Sequence, residues 1–133
     1  MKDKASALVT LEKEGEVSLV CLNDRDSFNS LSENLLKELF DTLKRADEDD
    51  STKVLVLRGS GRGFSAGHNL KELQKNENES FYRELLSRSK KVMTFLPTLN
   101  KPVIAEVHGV ATAAGCQLVA ACDLAYADTN TRF

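Results

Sequence analysis

The sequence predicts an α/β domain in which a largely parallel sheet follows an N-terminal hairpin. Three observations carry that prediction. Strand-like apolar runs alternate with helical stretches along most of the chain. The first two runs are separated by a short turn containing Gly15. Two turns rich in small residues, 64–71 and 108–117, each follow a strand-like run and lead into a helix-like segment.

The elements follow in order. Residues 7–12 and 17–22 flank Lys13-Glu14-Gly15-Glu16, a hairpin signal. Residues 23–29 are polar and loop-like. Ser30-Leu31-Ser32-Glu33 matches a capping box that starts at Ser30. After it, Leu31, Leu35, Leu36, Leu39, Phe40, Leu43 and Ala46 share one helical face. Asp47-Glu48-Asp49-Asp50 ends that helix in a solvated turn, because acidic groups oppose the dipole at a helix C-terminus.

Residues 54–57 form a continuous apolar run suited to a strand buried on both faces. Gly59, Gly61 and Gly63 then break the chain into a loop. A short helix covers 70–74, and 75–79 is a polar, mobile connection. Phe81, Leu85, Val92, Met93 and Leu96 mark a second amphipathic helix that ends near Pro97. Residues 102–107 read as a strand. Residues 113–122 read as a helix that is apolar nearly all round, hence buried. Residues 124–127 read as a last strand, and the chain closes a few residues later, an ending that suggests a fragment or a truncated product.

Size and composition set limits. The 133 residues suffice for one domain with a real core, without an internal boundary or repeat. Hydrophobic residues make up 41% and charged residues 29%, an ordinary globular balance. A formal net charge of −2 gives no basic field for nucleic acid or an anionic membrane. No apolar run approaches membrane-spanning length. Residues 1–6 resemble neither a secretion signal nor an organelle presequence. Cys21, Cys116 and Cys122 lack C-x-x-C spacing and sit in apolar surroundings, so they read as buried reduced thiols in a reducing compartment.

The chemistry lies in the two small-residue turns. A helix beginning near Ala114 has unpaired N–H groups and a partial positive charge at its start. Ala113, Ala114 and Gly115 keep side chains away, so a ligand oxygen can reach that backbone. Close helix packing is the alternative reading of the same residues. Gly67 permits a backbone conformation closed to other residues, which can aim the His68 N–H into a cleft. Two such donors converging on one oxygen are how proteins stabilise an enolate or oxyanion.

Other candidates read as structural. His108 serves local hydrogen bonding. Glu106 lies within a strand and Asp123 starts one. Ser65 lacks a nucleophile elbow or a Ser–His–Asp set. The loop 59–63 lacks the Gly-Lys-Ser/Thr ending of a triphosphate site. No metal site is expected, since neither histidine has ligand-spaced partners. Lys71 and Arg62 are candidates to meet phosphates, with a solvated surface role as the alternative.

The segments Phe64-Ser65-Ala66-Gly67-His68-Asn69-Leu70, Pro102-Val103-Ile104-Ala105 and Ala114-Gly115-Cys116-Gln117-Leu118 resemble the enoyl-CoA hydratase/isomerase (crotonase) family. Asn23, Asn29-Ser30-Leu31 and Cys122-Asp123-Leu124-Ala125 fit the same pattern in the family's order. The run Ala111–Ala120 is most similar to a subgroup of enoyl-CoA hydratase domain-containing proteins. The resemblance implies the N-terminal portion of a crotonase-like ββα spiral, so that residues 1–133 form a partial crotonase-like domain.

It further implies an acyl-CoA ligand, with CoA entering as part of the substrate and no separate cofactor. The backbone N–H groups of His68 and Ala114 would hold the thioester oxygen. Ala66, His68, Asn69, Leu70, Lys71 and Gly115 would contact the ligand. Hydratases of the family use two glutamates. The first position falls on Gln117, whose amide cannot exchange a proton at neutral pH, and the second falls just beyond Phe133. Asn69 stands where an aspartate is common.

The expectation is therefore a thioester-binding member of a lyase and isomerase family in fatty acid metabolism. A non-catalytic or regulatory binder, or a truncated inactive product, is the alternative. The resemblance also implies a full-length homotrimer or hexamer and a marginally stable isolated chain with exposed apolar surface. Its location would be cytoplasmic, or the mitochondrial matrix for a fragment of a eukaryotic relative.

Overall fold

The computed structural model describes residues 6–133. The N-terminal reading of residues 1–5 lies outside the described residues. The chain forms five strands: β1 (Val9–Glu14), β2 (Val17–Leu22), β3 (Val54–Gly59), β4 (Val103–Val107) and β5 (Leu124–Ala127). Four helices alternate with them: α1 (Glu33–Glu48), α2 (Leu70–Lys75), α3 (Glu79–Phe95) and α4 (Ala114–Ala120). The sheet runs β1-β2-β3-β4-β5, antiparallel only between β1 and β2. Sequential strands with helical crossovers are what the alternation of apolar runs and amphipathic stretches predicts.

Register explains the core. Val20, Leu57 and Ala105 stand side by side across three strands and are fully buried. One residue further along, Cys21, Arg58, Glu106 and Tyr126 form the neighbouring row on the opposite face, half-buried to exposed. This period of two follows from the pleat. It also corrects the expectation for β3. Leu55 and Leu57 are buried, but Val54 and Val56 are only partly so, because helices cover one face of the strand more completely than anything covers the other. Helix α1 packs on β1, β2 and α3, with Leu35, Leu36, Leu39, Leu43 and Ala46 in the core.

The hairpin turn is tighter than expected. Glu14 pairs with Val17, so only Gly15 and Glu16 connect the strands, with Gly15 at φ 59°. The cap of α1 also moves. Ser32, not Ser30, accepts a hydrogen bond from the Leu35 N–H at 3.2 Å. Both serines precede the apolar stripe, and the chain turns into the helix only after Leu31, which is buried outside it. The acidic end of α1 is more engaged than a solvated turn. Asp47 accepts from the N–H groups of Asn100 and Lys101, and Lys13 pairs with Asp49 at 3.0 Å. Hydrogen bonds from Ser51 and the Lys13 ammonium hold the Asp49 carboxyl well below the usual carboxylate range.

Helix α4 presents a buried stripe of Ala114, Gly115 and Leu118, while Gln117 and Ala120 are exposed. The expectation of burial all round fails because a seven-residue helix buries one side in the core and against Ser65 and turns the other outward. Strand β5 is exposed along its whole length, with Leu124 and Tyr126 open on its surface. The three cysteines are free and partly buried rather than fully buried. Burial pushes the Cys122 thiol up to about 12, with the Asp123 charge adding to it.

Asn29 knits the loops that lead to the small-residue turns. It is fully buried at φ 52°. Its side-chain oxygen accepts from the Asp24 N–H at 2.8 Å, and its amide donates to the carbonyls of Ser60 (2.9 Å) and Gly63 (3.0 Å). Its own carbonyl accepts from Ser65 Oγ at 2.8 Å. Removing the side chain strands three backbone groups, and each buried orphan costs about 1–3 kcal/mol. Asn29→Ala should therefore lower unfolding free energy by about 3 kcal/mol in a denaturant titration. A loss below about 1 kcal/mol would show that water replaces these bonds freely.

Candidate functional site

The turn 64–67 and the segment 108–115 are built against each other through backbone. The Phe64 N–H is shared between the carbonyls of His108 and Val110, both at 3.0 Å. The Ser65 N–H donates to Val110 O at 3.1 Å, and the Ser65 carbonyl accepts from the Thr112 N–H at 3.1 Å. Ser65 and Ala111 form a parallel bridge. The Ser65 hydroxyl is buried, donating to the Asn29 carbonyl and accepting from the Gly67 N–H at 3.3 Å. That is a structural role, as its sequence context suggested.

Glycine is required at two points of this seam. A Cβ on Gly115 would run into the Ser65 carbonyl oxygen. Gly67 sits at φ +88°, and a Cβ there would lie 3.1 Å from Thr112 O and 3.2 Å from Ala114 N. The start of α4 therefore lies directly against Gly67. His68 follows Gly67 in the chain, so the N–H groups of His68 and Ala114 stand on neighbouring backbone. Neither donates a hydrogen bond to any of the described residues. Ala114 itself is buried, at 4% exposed.

Backbone strain gathers in the same place. Among the described residues, only Phe28, Asn29 and Ala113 have positive φ without being glycine. Ala113, at φ 50° and ψ −123°, immediately precedes Ala114. Phe28 accepts from the Ala66 N–H at 2.9 Å. Conformations of this kind cost of order 1–3 kcal/mol each and persist where the surroundings enforce them, often at sites of function.

Two clefts meet at His68. The first, about 480 Å³, is lined by Ala66, His68, Asn69, Leu70 and Lys71 together with the loop 24–30. The second, about 320 Å³, is lined by His68, Gln117 and four residues of α3. Such volumes fall within the range of ligand sites, about 300–1,000 Å³. His68 Nδ1 is buried without a hydrogen-bond partner, and Ser30 Oγ, on the first cleft, is in the same condition. Buried polar atoms left unpaired by the protein are places for a bound group to bond. Asn69 caps α2, its side-chain oxygen accepting from the Glu72 N–H at 3.1 Å, a bond an aspartate oxygen would make equally.

The sequence-predicted residues thus fall unevenly. Ala66, His68, Asn69, Leu70 and Lys71 line the first cleft, and Gln117 lines the second. Gly115 does not line either; it is buried against Ser65, which is the packing reading of that glycine. Arg62 lies over the Phe28 ring at 5.0 Å. His108 Nε2 bonds the Gly61 carbonyl at 2.7 Å, and Asp123 accepts from the Val103 N–H at 2.7 Å, both local structural bonds.

Sequence reasoning missed Phe28 and Ser30 on the first cleft and Leu86, Ser89 and Lys90 on the second. Ser89 carried a signal. It interrupts the buried stripe Leu85–Ser89–Val92 of α3 with a hydroxyl.

A mixed sheet with helical crossovers, with two clefts that share His68, defines an α/β domain with a candidate ligand site. The enoyl-CoA hydratase/isomerase family model matches residues 12–133. The chain is 40% identical over 126 residues to enoyl-CoA hydratase domain-containing protein 3, mitochondrial, of Xenopus laevis, covering 95% of this chain and 43% of that protein. It is 36% identical over 126 residues to the short-chain-enoyl-CoA hydratase of Clostridium acetobutylicum, covering 94% and 48%. Among solved structures, human enoyl Coenzyme A hydratase domain-containing protein 3 superposes with TM-score 0.88 at 34% identity, over 93% of this chain and 49% of that one. The chain belongs to the enoyl-CoA hydratase/isomerase (crotonase) family and has its fold. It spans about half the length of the curated relatives it matches.

Gly115→Ala should shift α4 away from Ser65 and destabilise the protein by about 1–3 kcal/mol, the usual cost of overpacking. A thermal melt checks this, and a variant as stable as the parent would contradict the tight seam.

Proposed function

We propose that this chain binds an acyl-CoA thioester with the thioester carbonyl oxygen accepting from the His68 and Ala114 N–H groups. The observation that supports this reading is that the two N–H groups stand on neighbouring backbone and are unbonded within the described residues, while His68 lines both clefts. One end of a long ligand would enter the first cleft, past Lys71, and the acyl end would enter the second, past Gln117. Preorganised N–H donors become more effective as negative charge develops on the oxygen, and one such donor is worth roughly 3 kcal/mol in a transition state.

In this reading the chain stabilises an enolate of the acyl group, the chemistry shared by hydration and isomerisation in fatty acid metabolism. Gln117 hydrogen-bonds the substrate or a water but moves no proton. Acid/base catalysis needs a group that gains and loses one, and no carboxylate lines the second cleft among the described residues. The amide at position 117 keeps a second reading beside the first, a thioester-binding protein without hydratase activity. Assembly as a homotrimer or a dimer of trimers belongs to the same proposal. So does a location in the cytoplasm or the mitochondrial matrix, the latter supported by the word mitochondrial in the names of several relatives. No helix among the described residues is long and apolar enough to cross a membrane.

A calorimetric titration with crotonyl-CoA tests the binding. The protein should bind, and Ala114→Pro, which deletes one donor at a helix position that tolerates proline, should weaken binding about three- to tenfold. Unchanged affinity in a variant that still melts cooperatively would contradict the proposal. Hydration of crotonyl-CoA at ordinary enzymatic rates would eliminate the non-catalytic reading.

A further inference from the structure

The second cleft has a chemistry of its own. Helix α3 carries four cations, and three are occupied. Arg83 pairs with Glu79 at 2.6 Å, Arg88 bonds Glu33 at 3.1 Å and Glu84 at 3.0 Å, and the Lys91 ammonium lies 4.1 Å from the centre of the Phe40 ring. Lys90 lines the second cleft and has no acidic partner among the described residues. Ser89 beside it is 6% exposed, lines the same cleft, and its hydroxyl makes no hydrogen bond there. The Gln117 amide, opposite on α4, is likewise uncommitted. His68 Nδ1 completes the set as a buried nitrogen without a partner.

The cleft therefore offers an ammonium, a hydroxyl and an amide N–H, all with unused donors, and holds no negative group. An ammonium donates but cannot accept. A buried nitrogen without a partner, such as His68 Nδ1, costs stability until something bonds it. The apolar Leu86 and Met93 in the same lining give the intervening methylene carbons a surface to rest on.

We infer that the second cleft selects acyl groups that end in a carboxylate, so that the ligand is the CoA monothioester of a short dicarboxylic acid. A carboxylate supplies the counter-charge Lys90 lacks and accepts from Ser89 and Gln117 together. The inference rests on the thioester reading above and gives Gln117 a physical reason: a glutamate at that position would repel the ligand's own carboxylate, whereas the amide donates to it. The cleft volume of about 320 Å³ suits a short chain.

The test compares glutaryl-CoA with pentanoyl-CoA by calorimetry, because the two differ at the end of a five-carbon chain and share every phosphate. Glutaryl-CoA should bind roughly tenfold tighter, the scale of a charge-assisted hydrogen bond. Lys90→Ala should bring the ratio near one, chiefly by weakening glutaryl-CoA, and Lys90→Glu should invert it. Lys91→Ala, which removes a cation held on the Phe40 ring, should leave the ratio intact. Equal binding of both thioesters to the parent protein overturns the carboxylate selection and leaves the thioester reading standing. Weakening of both by Lys90→Ala to the same degree also overturns it, because Lys90 would then serve the phosphates. Failure of every thioester to bind overturns both readings.

Discussion

The backbone seam between residues 64–67 and 108–115 is the constraint on which the site depends. The Ser65 carbonyl takes the Thr112 N–H, and its other side is close enough to Gly115 that a methyl group would not fit. That contact fixes where α4 begins. It leaves the Ala114 N–H beside Gly67, with the His68 N–H on the next peptide. The fully buried Phe64 sits at the end of the seam, with its N–H held by two carbonyls. Stability and site are therefore one structure here. The N–H groups of Phe64, Ser65, Gly67, Thr112 and Gly115 are used within the seam, while those of His68 and Ala114 are left unpaired among the described residues.

A second set of contacts supports the first. Asn29 ties its own loop after β2 to the loop 60–65, and the positive φ values at Phe28, Asn29 and Ala113 lie on the flanks of the seam. Backbone in such conformations is held by its neighbours rather than by its own preference. The buried bonds of Asn29 and the packing of Gly115 supply that hold. The orphaned Ser30 Oγ and His68 Nδ1 mark where the protein stops satisfying its own polar groups, at the clefts proposed to take the ligand.

Much of this was legible in the residues. The pattern of apolar runs located all five strands and all four α-helices to within a few positions, because most of these elements bury one face and their apolar residues repeat accordingly. Gly67 and Ala114 stood out because small residues after a strand are unusual unless backbone must approach something. The misses have local causes. Two serines offered themselves as the α1 cap, and only the path of the chain through Leu31 decides for Ser32. The run 54–57 looked apolar throughout, but burial depends on what packs above each face. The residues of the second cleft were hidden because Ser89 and Lys90 gain meaning only when α3 is laid beside α4, a juxtaposition of segments nearly thirty positions apart that no periodicity records.

The central claim is that two backbone N–H groups, of His68 and Ala114, receive one thioester oxygen. The most direct measurement follows the amide resonances of nitrogen-15-labelled protein during titration with crotonyl-CoA. The account predicts that the His68 and Ala114 amide protons move downfield together along a single saturation curve, while core amides such as Leu57 stay in place. Saturable binding that leaves both resonances unmoved would contradict it.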